Sequence, residues 1–265
     1  MNARTSVGLI GAGAVTRRPM AKRLPGVLGP VKASSFRLAS RMVRTLHAGF
    51  PVRDYTELQG CRTVLILVPD PKLPAIVQEL AQEGLRWRGV TFLLCDSVLD
   101  SAVLLPLAAC GAYVGSVLEL PGFEGERFLV EGDRQAIRAA QRLIGGRRLA
   151  MEVRPGAKVK VLAAAALAGD LFAPLAVAAQ ECLRAAGLRG ARATALVERM
   201  FARALRSFVK SGRQSWRGPV ASGDAAELMR RVEALRAVDP RLAAYFRDSA
   251  ALARRFFQSE KPSLE

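Results

Sequence analysis

The hydrophobic pattern of this chain changes period once, at Pro155-Gly156, and that change constrains the fold more than any other feature. Before it, short apolar runs alternate with amphipathic stretches. Strands are predicted over residues 6–10, 35–39, 63–68, 90–95, 112–117 and 127–131, with a last one near 149–153. Helices are predicted over 14–24, 41–48, 71–83, 101–109 and 133–144, the last stopped by Gly145-Gly146. Several strands are continuous apolar runs, as strands covered on both faces should be. Such alternation implies right-handed crossovers and a mostly parallel sheet. After the turn no strand pattern remains. Residues 158–188 read as one long helix, apolar on nearly every side and closed by Gly187, so it should sit at the centre of a helical bundle. Further helices fit 193–211, 225–236 and 241–257, with Asp224 capping one and Asp239-Pro240 opening the next.

The first predicted strand runs into a glycine turn, Gly8-Leu9-Ile10-Gly11-Ala12-Gly13-Ala14-Val15-Thr16. This is the opening of a dinucleotide-binding βαβ unit. Gly11 would make the tight turn and Gly13 would admit a pyrophosphate. The amides of Ala12, Ala14 and Val15, at the positive end of the helix, would hold that anion. The third glycine of the pattern is replaced by Thr16, and Pro19 falls in the early helix, where it removes a hydrogen bond. The fold class expected is therefore α/β: a Rossmann-like, mostly parallel N-terminal domain over residues 1–154, then an all-α domain over 155–265.

Charge narrows the ligand. The formal net charge is +17, and the first 53 residues hold ten Lys or Arg and no acid. An NAD site places a carboxylate at the end of the second strand to hold the ribose diol. With that strand predicted to end at Ala39, the residues on offer are Ser40, Arg41 and, one turn on, Arg44. A hydroxyl with guanidinium forks suits a 2′-phosphate, so the cofactor expected is NADP. Val68 and Pro69 follow the fourth predicted strand, where a loop would pass over the nicotinamide ribose. Asp70 beside them reads as a helix cap.

Other classes are excluded or disfavoured. One histidine, His47, and four scattered cysteines leave no zinc site and no His-based triad, so no metal is expected. The cysteines read as reduced thiols, no signal peptide is visible, and the expected location is cytoplasmic. The apolar run 161–179 is interrupted by Asp170 and Pro174, so no membrane span is expected. Nucleic-acid binding is disfavoured because the basic residues are spread widely and aromatics are 6% of the chain. Apolar helix faces carrying residues such as Leu167, Phe172, Phe201 and Phe208 suggest a homodimer through the helical domain.

Lys158 and Asp170 are the candidate catalytic residues. A lysine at a helix start opposes the dipole, and a carboxylate inside an apolar helix is costly unless paired. On one helix they would stand about 18 Å apart, so they are not hydrogen-bonded partners.

Taken together, the chain resembles a two-domain family with a Rossmann-like N-terminus and a helical C-terminal domain of unknown function. That family is related to ketopantoate, pyrroline-carboxylate and 6-phosphogluconate-type reductases. The resemblance rests on residues 8–13, on Val64-Leu65-Ile66-Leu67-Val68-Pro69-Asp70, and on residues 107–112 with Gly115-Ser116. It continues through Val130-Glu131-Gly132-Asp133, Lys158 with Ala163-Ala164-Ala165, Gly218-Pro219-Val220-Ala221-Ser222-Gly223-Asp224, and Asp239-Pro240 with Tyr245. It implies an NADP-binding oxidoreductase acting on a small carbonyl or imine substrate in an interdomain cleft. Lys158 would be proton donor or carboxylate anchor and Asp170 its polarising partner. The helical domain would resemble the C-terminal domain of 6-phosphogluconate dehydrogenase. The chain departs from the family at Thr16, at Asp96-Ser97, at Leu118-Glu119 and at Leu162, and an Asn-like position carries Asp170. These departures keep a second reading open, a descendant that binds a nucleotide or a protein without turnover.

Overall fold

The computed structural model describes residues 7–12, 19–82 and 85–258. The chain forms two compact units, Met1–Leu167 and Ala168–Glu265.

The first unit is built on an eight-stranded sheet: β1 (Val7–Gly11), β2 (Leu28–Lys32), β3 (Phe50–Pro51), β4 (Thr63–Leu67), β5 (Thr91–Cys95), β6 (Tyr113–Glu119), β7 (Phe128–Gly132) and β8 (Ala150–Glu152). Their order is β3-β2-β1-β4-β5-β6-β7-β8. All neighbours run parallel except β6 and β7. Helices α1 (Phe36–Leu46), α2 (Leu73–Gln82), α3 (Leu105–Ala109) and α4 (Arg134–Ile144) connect them, and α5 (Lys158–Ala168) ends the unit. Period-two alternation along the strands feeds two separate cores. Leu9, Leu65, Leu67, Leu93 and Cys95 join Met42, Phe128 and Ile144 on one face. Ile10, Val64, Ile66, Phe92 and Leu94 join Leu80, Trp87 and Leu104 on the other. Sheet and helix order make this the mostly parallel α/β fold that the alternation predicts.

The second strand is not where the pattern placed it. Residues 36–39 open α1, with Ser35 as N-cap accepting the Leu38 N–H at 3.2 Å, and β2 is Leu28–Lys32 instead. Gly29 and Pro30 disguise β2. A proline is tolerated there because β2 is flanked outward only by the two residues of β3. The predicted helix 14–24 falls partly outside the described residues; its described end, Pro19–Arg23, is a 3-10 turn.

The second unit is helical: α6 (Phe172–Ala185), α7 (Ala191–Ser211), α8 (Pro219–Ser222), α9 (Ala225–Arg236) and α10 (Pro240–Gln258). The long helix expected over 158–188 is broken at 169–171. Pro174 supplies the reason: inside a continuous helix its ring would strike the carbonyl of Asp170, whereas in the first turn of α6 it is tolerated. Asp224 caps α9 by accepting the Glu227 N–H at 3.1 Å. Among the described residues of this unit only Ala193, Val197, Val232, Ala243 and Ala250 are buried.

Candidate functional site

In a parallel sheet, ligands bind beyond the carboxyl ends of the strands, where the strand order reverses. Here that point lies between β1 and β4, since the chain leaves β1 towards β2 and β3 and returns on the other side. Gly11 ends β1, and the Ala12 N–H is donated to the Leu67 carbonyl at 3.2 Å. Val68 is fully buried and half-buried Pro69 caps the following turn. The Asp70 carbonyl, not its carboxylate, receives the Leu73 N–H, so the side-chain cap expected of Asp70 is not made. Gly13, Ala14, Val15 and Thr16 lie outside the described residues.

At the end of β2 the residues differ from those expected. Ser40, Arg41 and Arg44 sit along α1, not at a strand end, and Ser40 Oγ is donated to the Phe36 carbonyl at 2.9 Å. The strand end is Lys32, followed by Ala33, Ser34 and Ser35. Lys32 Nζ donates to the Ala33 carbonyl at 2.9 Å and lies 4.8 Å from the Tyr55 ring centre. Arg37, Arg41 and Arg44 are exposed and spaced to share one helix face, with Arg37 nearest the strand end. No acid lies between β1 and β3 among the described residues. This donor set fits a 2′-phosphorylated adenosine and lacks the carboxylate that a free ribose diol would use.

Beyond β5 lies a buried polar network that the sequence reading did not assemble. Lys158, the first residue of α5, is 1% exposed. Its Nζ donates to the Ser97 carbonyl at 3.2 Å and to the Leu99 carbonyl, and lies 3.9 Å from Glu131 Oε1. Glu131 on β7 is equally buried. It accepts from the Ser101 N–H at 2.8 Å, from Ser101 Oγ at 2.7 Å and from Ser116 Oγ. Burial pushes the Lys158 ammonium below its ordinary range, while the charges of Glu131, Asp100, Asp70 and Cys95 act the other way. Two of its three protons go to the carbonyls of Ser97 and Leu99, which ties Lys158 to the loop 96–100, and the Glu131 carboxylate lies opposite as an ion-pair partner.

Asp170 stands in the exposed turn between α5 and α6 rather than within an apolar helix, so the desolvation argument that singled it out does not apply. Glu131 is the acid to which that argument belongs: a buried carboxylate directly after the apolar run Phe128-Leu129-Val130, which is costly without partners. Among the described residues no group of three His, Cys, Asp or Glu is placed to hold a metal ion.

Residues 127–253 match the model of a family described as a domain of unknown function, DUF2520. The match covers a little under half of the chain. No curated protein matches the chain in sequence. Solved structures share the fold over nearly its whole length. An imine reductase of Bacillus cereus is 17% identical at a TM-score of 0.66, covering 97% of this chain and 100% of that one. The imine reductase of Streptomyces aurantiacus is 18% identical at 0.64, covering 96% of each. A variant imine reductase of Myxococcus stipitatus, solved with NAD+, is 17% identical at 0.62, covering 96% and 94%. At these identities the likeness is one of fold.

Proposed function

We propose that the first unit binds a nicotinamide dinucleotide, NADP in preference to NAD, and that the protein is an oxidoreductase acting on a small carbonyl or imine substrate. The observation that carries this is the acid-free end of β2, followed by Ser34, Ser35 and Arg37, on the strand next to β1 at the switch point. The bound nicotinamide would supply the hydride. The chain's own part is to hold the 2′-phosphate and to set the loops after β4 and β5. Fluorescence titration with NADPH and NADH tests the reading: tighter binding of NADPH is expected, and a preference for NADH overturns it.

One observation favours a second reading, binding without turnover. Lys158, the expected proton donor, is enclosed by Ser97, Leu99 and Glu131, and Asp170 is exposed in a turn. NADPH consumption across a panel of keto acids and imines separates the two readings. Oxidation of the cofactor by any of them supports the enzyme, and binding with no oxidation supports the descendant.

The protein works as a homodimer through its second unit on this reading. Among its described residues no buried one is larger than valine, while fourteen large apolar side chains, Phe172, Phe208 and Leu252 among them, are exposed. Summed over the unit they leave on the order of 1,000 Å² of apolar side chain in water, comparable to the ~800 Å² per partner that a stable interface covers. The stretch Lys158–Ala185 is long and apolar enough to cross a membrane by composition, with a mean hydropathy of 2.0. The turn at 169–171 and the charge of Asp170 favour a second copy over lipid. Sedimentation at rising concentration should show a dimer. A monomer that floats with phosphatidylcholine vesicles would overturn this.

A further inference from the structure

The loop between β5 and α3 is held from both sides. Asp96 opens it at φ +52, the left-handed region that few residues with a side chain adopt. Its N–H is donated to the Val117 carbonyl at 3.0 Å, and its carboxylate receives the Met20 N–H at 3.2 Å. Ser97 Oγ accepts the Leu99 N–H at 3.0 Å, closing a tight serine turn. From beneath, Lys158 draws the carbonyls of Ser97 and Leu99 inward. Glu131 anchors both ends of this arrangement, since it faces Lys158 and also takes the Ser101 N–H and hydroxyl.

With the carbonyls turned in, Val98 and Leu99 stand out, 52% and 37% exposed. Two large apolar side chains are thus kept in water by buried polar bonds, at the ligand end of a central parallel strand. The loop is a poor seat for phosphate. The N–H groups of Leu99, Ser101 and Ala102 are already donated to Ser97, Glu131 and Asp100, so they make no anion nest. What the loop offers a ligand is an apolar surface suited to a flat, uncharged ring.

We propose that the Lys158–Glu131 pair is a latch that sets the loop after β5, and that Val98 and Leu99 form a platform for the nicotinamide half of a dinucleotide. This rests on the dinucleotide reading above. Lys158 and Glu131 are positioning residues in it, and the ligand meets only the platform.

Calorimetric titration with NADPH and with adenosine 2′,5′-bisphosphate, which has the phosphorylated adenosine without the nicotinamide, tests the platform. Val98→Ser/Leu99→Ser alters exposed side chains and should leave the fold intact. It is expected to weaken NADPH about tenfold or more, from the lost apolar contact, and the bisphosphate less than about twofold. Lys158→Met is expected to show the same split, and Lys158→Arg to restore part of it. Equal losses for both ligands, or none, overturn the platform. Hydrogen exchange of residues 97–101 in the ligand-free protein reads the latch directly. Faster exchange in Lys158→Met is expected, and unchanged exchange overturns the latch. Should the wild-type protein bind neither ligand, the dinucleotide reading fails and the platform with it, while the exchange measurement still decides the latch.

Discussion

Glu131 on β7 and Lys158 at the head of α5 face each other at 3.9 Å with about 1% of each exposed, and their other partners are unequal. Glu131 also accepts from Ser101 twice and from Ser116, whereas Lys158 has only two carbonyls besides. Removing one partner of a buried pair costs about 3–5 kcal/mol, because the other charge is stranded. Lys158→Met leaves a carboxylate with three donors and should fall near the low end. Glu131→Leu leaves an ammonium with two carbonyls, and three donors with no acceptor, so it should fall near the high end. The double replacement should cost less than the sum. Urea unfolding of the four proteins checks this, and simple additivity would mean that the two groups do not interact.

The same lysine gives the protein a pH signature. Its value is lowered from 10.5, with burial the largest cause. Between the lowered folded value and 10.5 the unfolded chain therefore holds more protons than the folded one. Stability must rise with pH across that window, by at most about 1.4 kcal/mol per unit, and the penalty is constant below it. Wild type minus Lys158→Met should thus give a difference in unfolding free energy that is flat below the lowered folded value and climbs with pH from there to 10.5. A difference that falls there would show a lysine stabilised in its charged form.

Two sets of arginines compete for the 2′-phosphate. Counting from a strand over 35–39 points to Arg41 and Arg44, whereas β2 ends at Lys32 and puts Arg37 first. Arg37→Ala should weaken NADPH by about tenfold while leaving NADH within about twofold, as loss of a guanidinium–phosphate pair would. Arg41→Ala, one helical turn farther along, should have the smaller effect. Paired titrations with the two cofactors check the order. A larger selective loss for Arg41→Ala would restore the earlier register.

That misplacement shows what local pattern carries and what it does not. Val64 to Leu67 and Phe92 to Leu94 are legible as strands because unbroken apolar runs leave no other use for the residues. Leu28–Lys32 is not, because Gly29 and Pro30 are poor strand formers, and β2 is held by Val31 packing in the core and by the ladder to β1. The helix break at 169–171 was marked by Gly169 and Pro174, and Asp170 was given weight for a burial it does not have. The network around Glu131 was half legible. A lone acid in an apolar strand demands partners, but Ser101, Ser116 and Lys158 come from 30, 15 and 27 residues away, which spacing alone does not join.

Gly132 tests whether the sheet beneath that network tolerates any widening. It closes β7 at φ +121, opposite Gly115 of β6. A Cβ there would stand 2.4 Å from the Gly115 Cα and 2.4 Å from the Val114 carbonyl oxygen, both main-chain atoms that cannot rotate aside. Gly132→Ala therefore combines a disfavoured backbone angle, about 1–3 kcal/mol by itself, with a clash that only strand separation relieves. Separation would disturb Glu131 and its hydrogen bond from Ser116, the adjacent pair in the ladder. The expected outcome is a loss of at least about 3 kcal/mol in denaturant unfolding, with faster hydrogen exchange at residues 114–117 and 129–132. Gly122→Ala, at φ +81 with open space around its Cβ position, is the control for backbone strain alone and should cost less. Equal costs at the two glycines would mean that the close approach of β6 and β7 contributes nothing to stability.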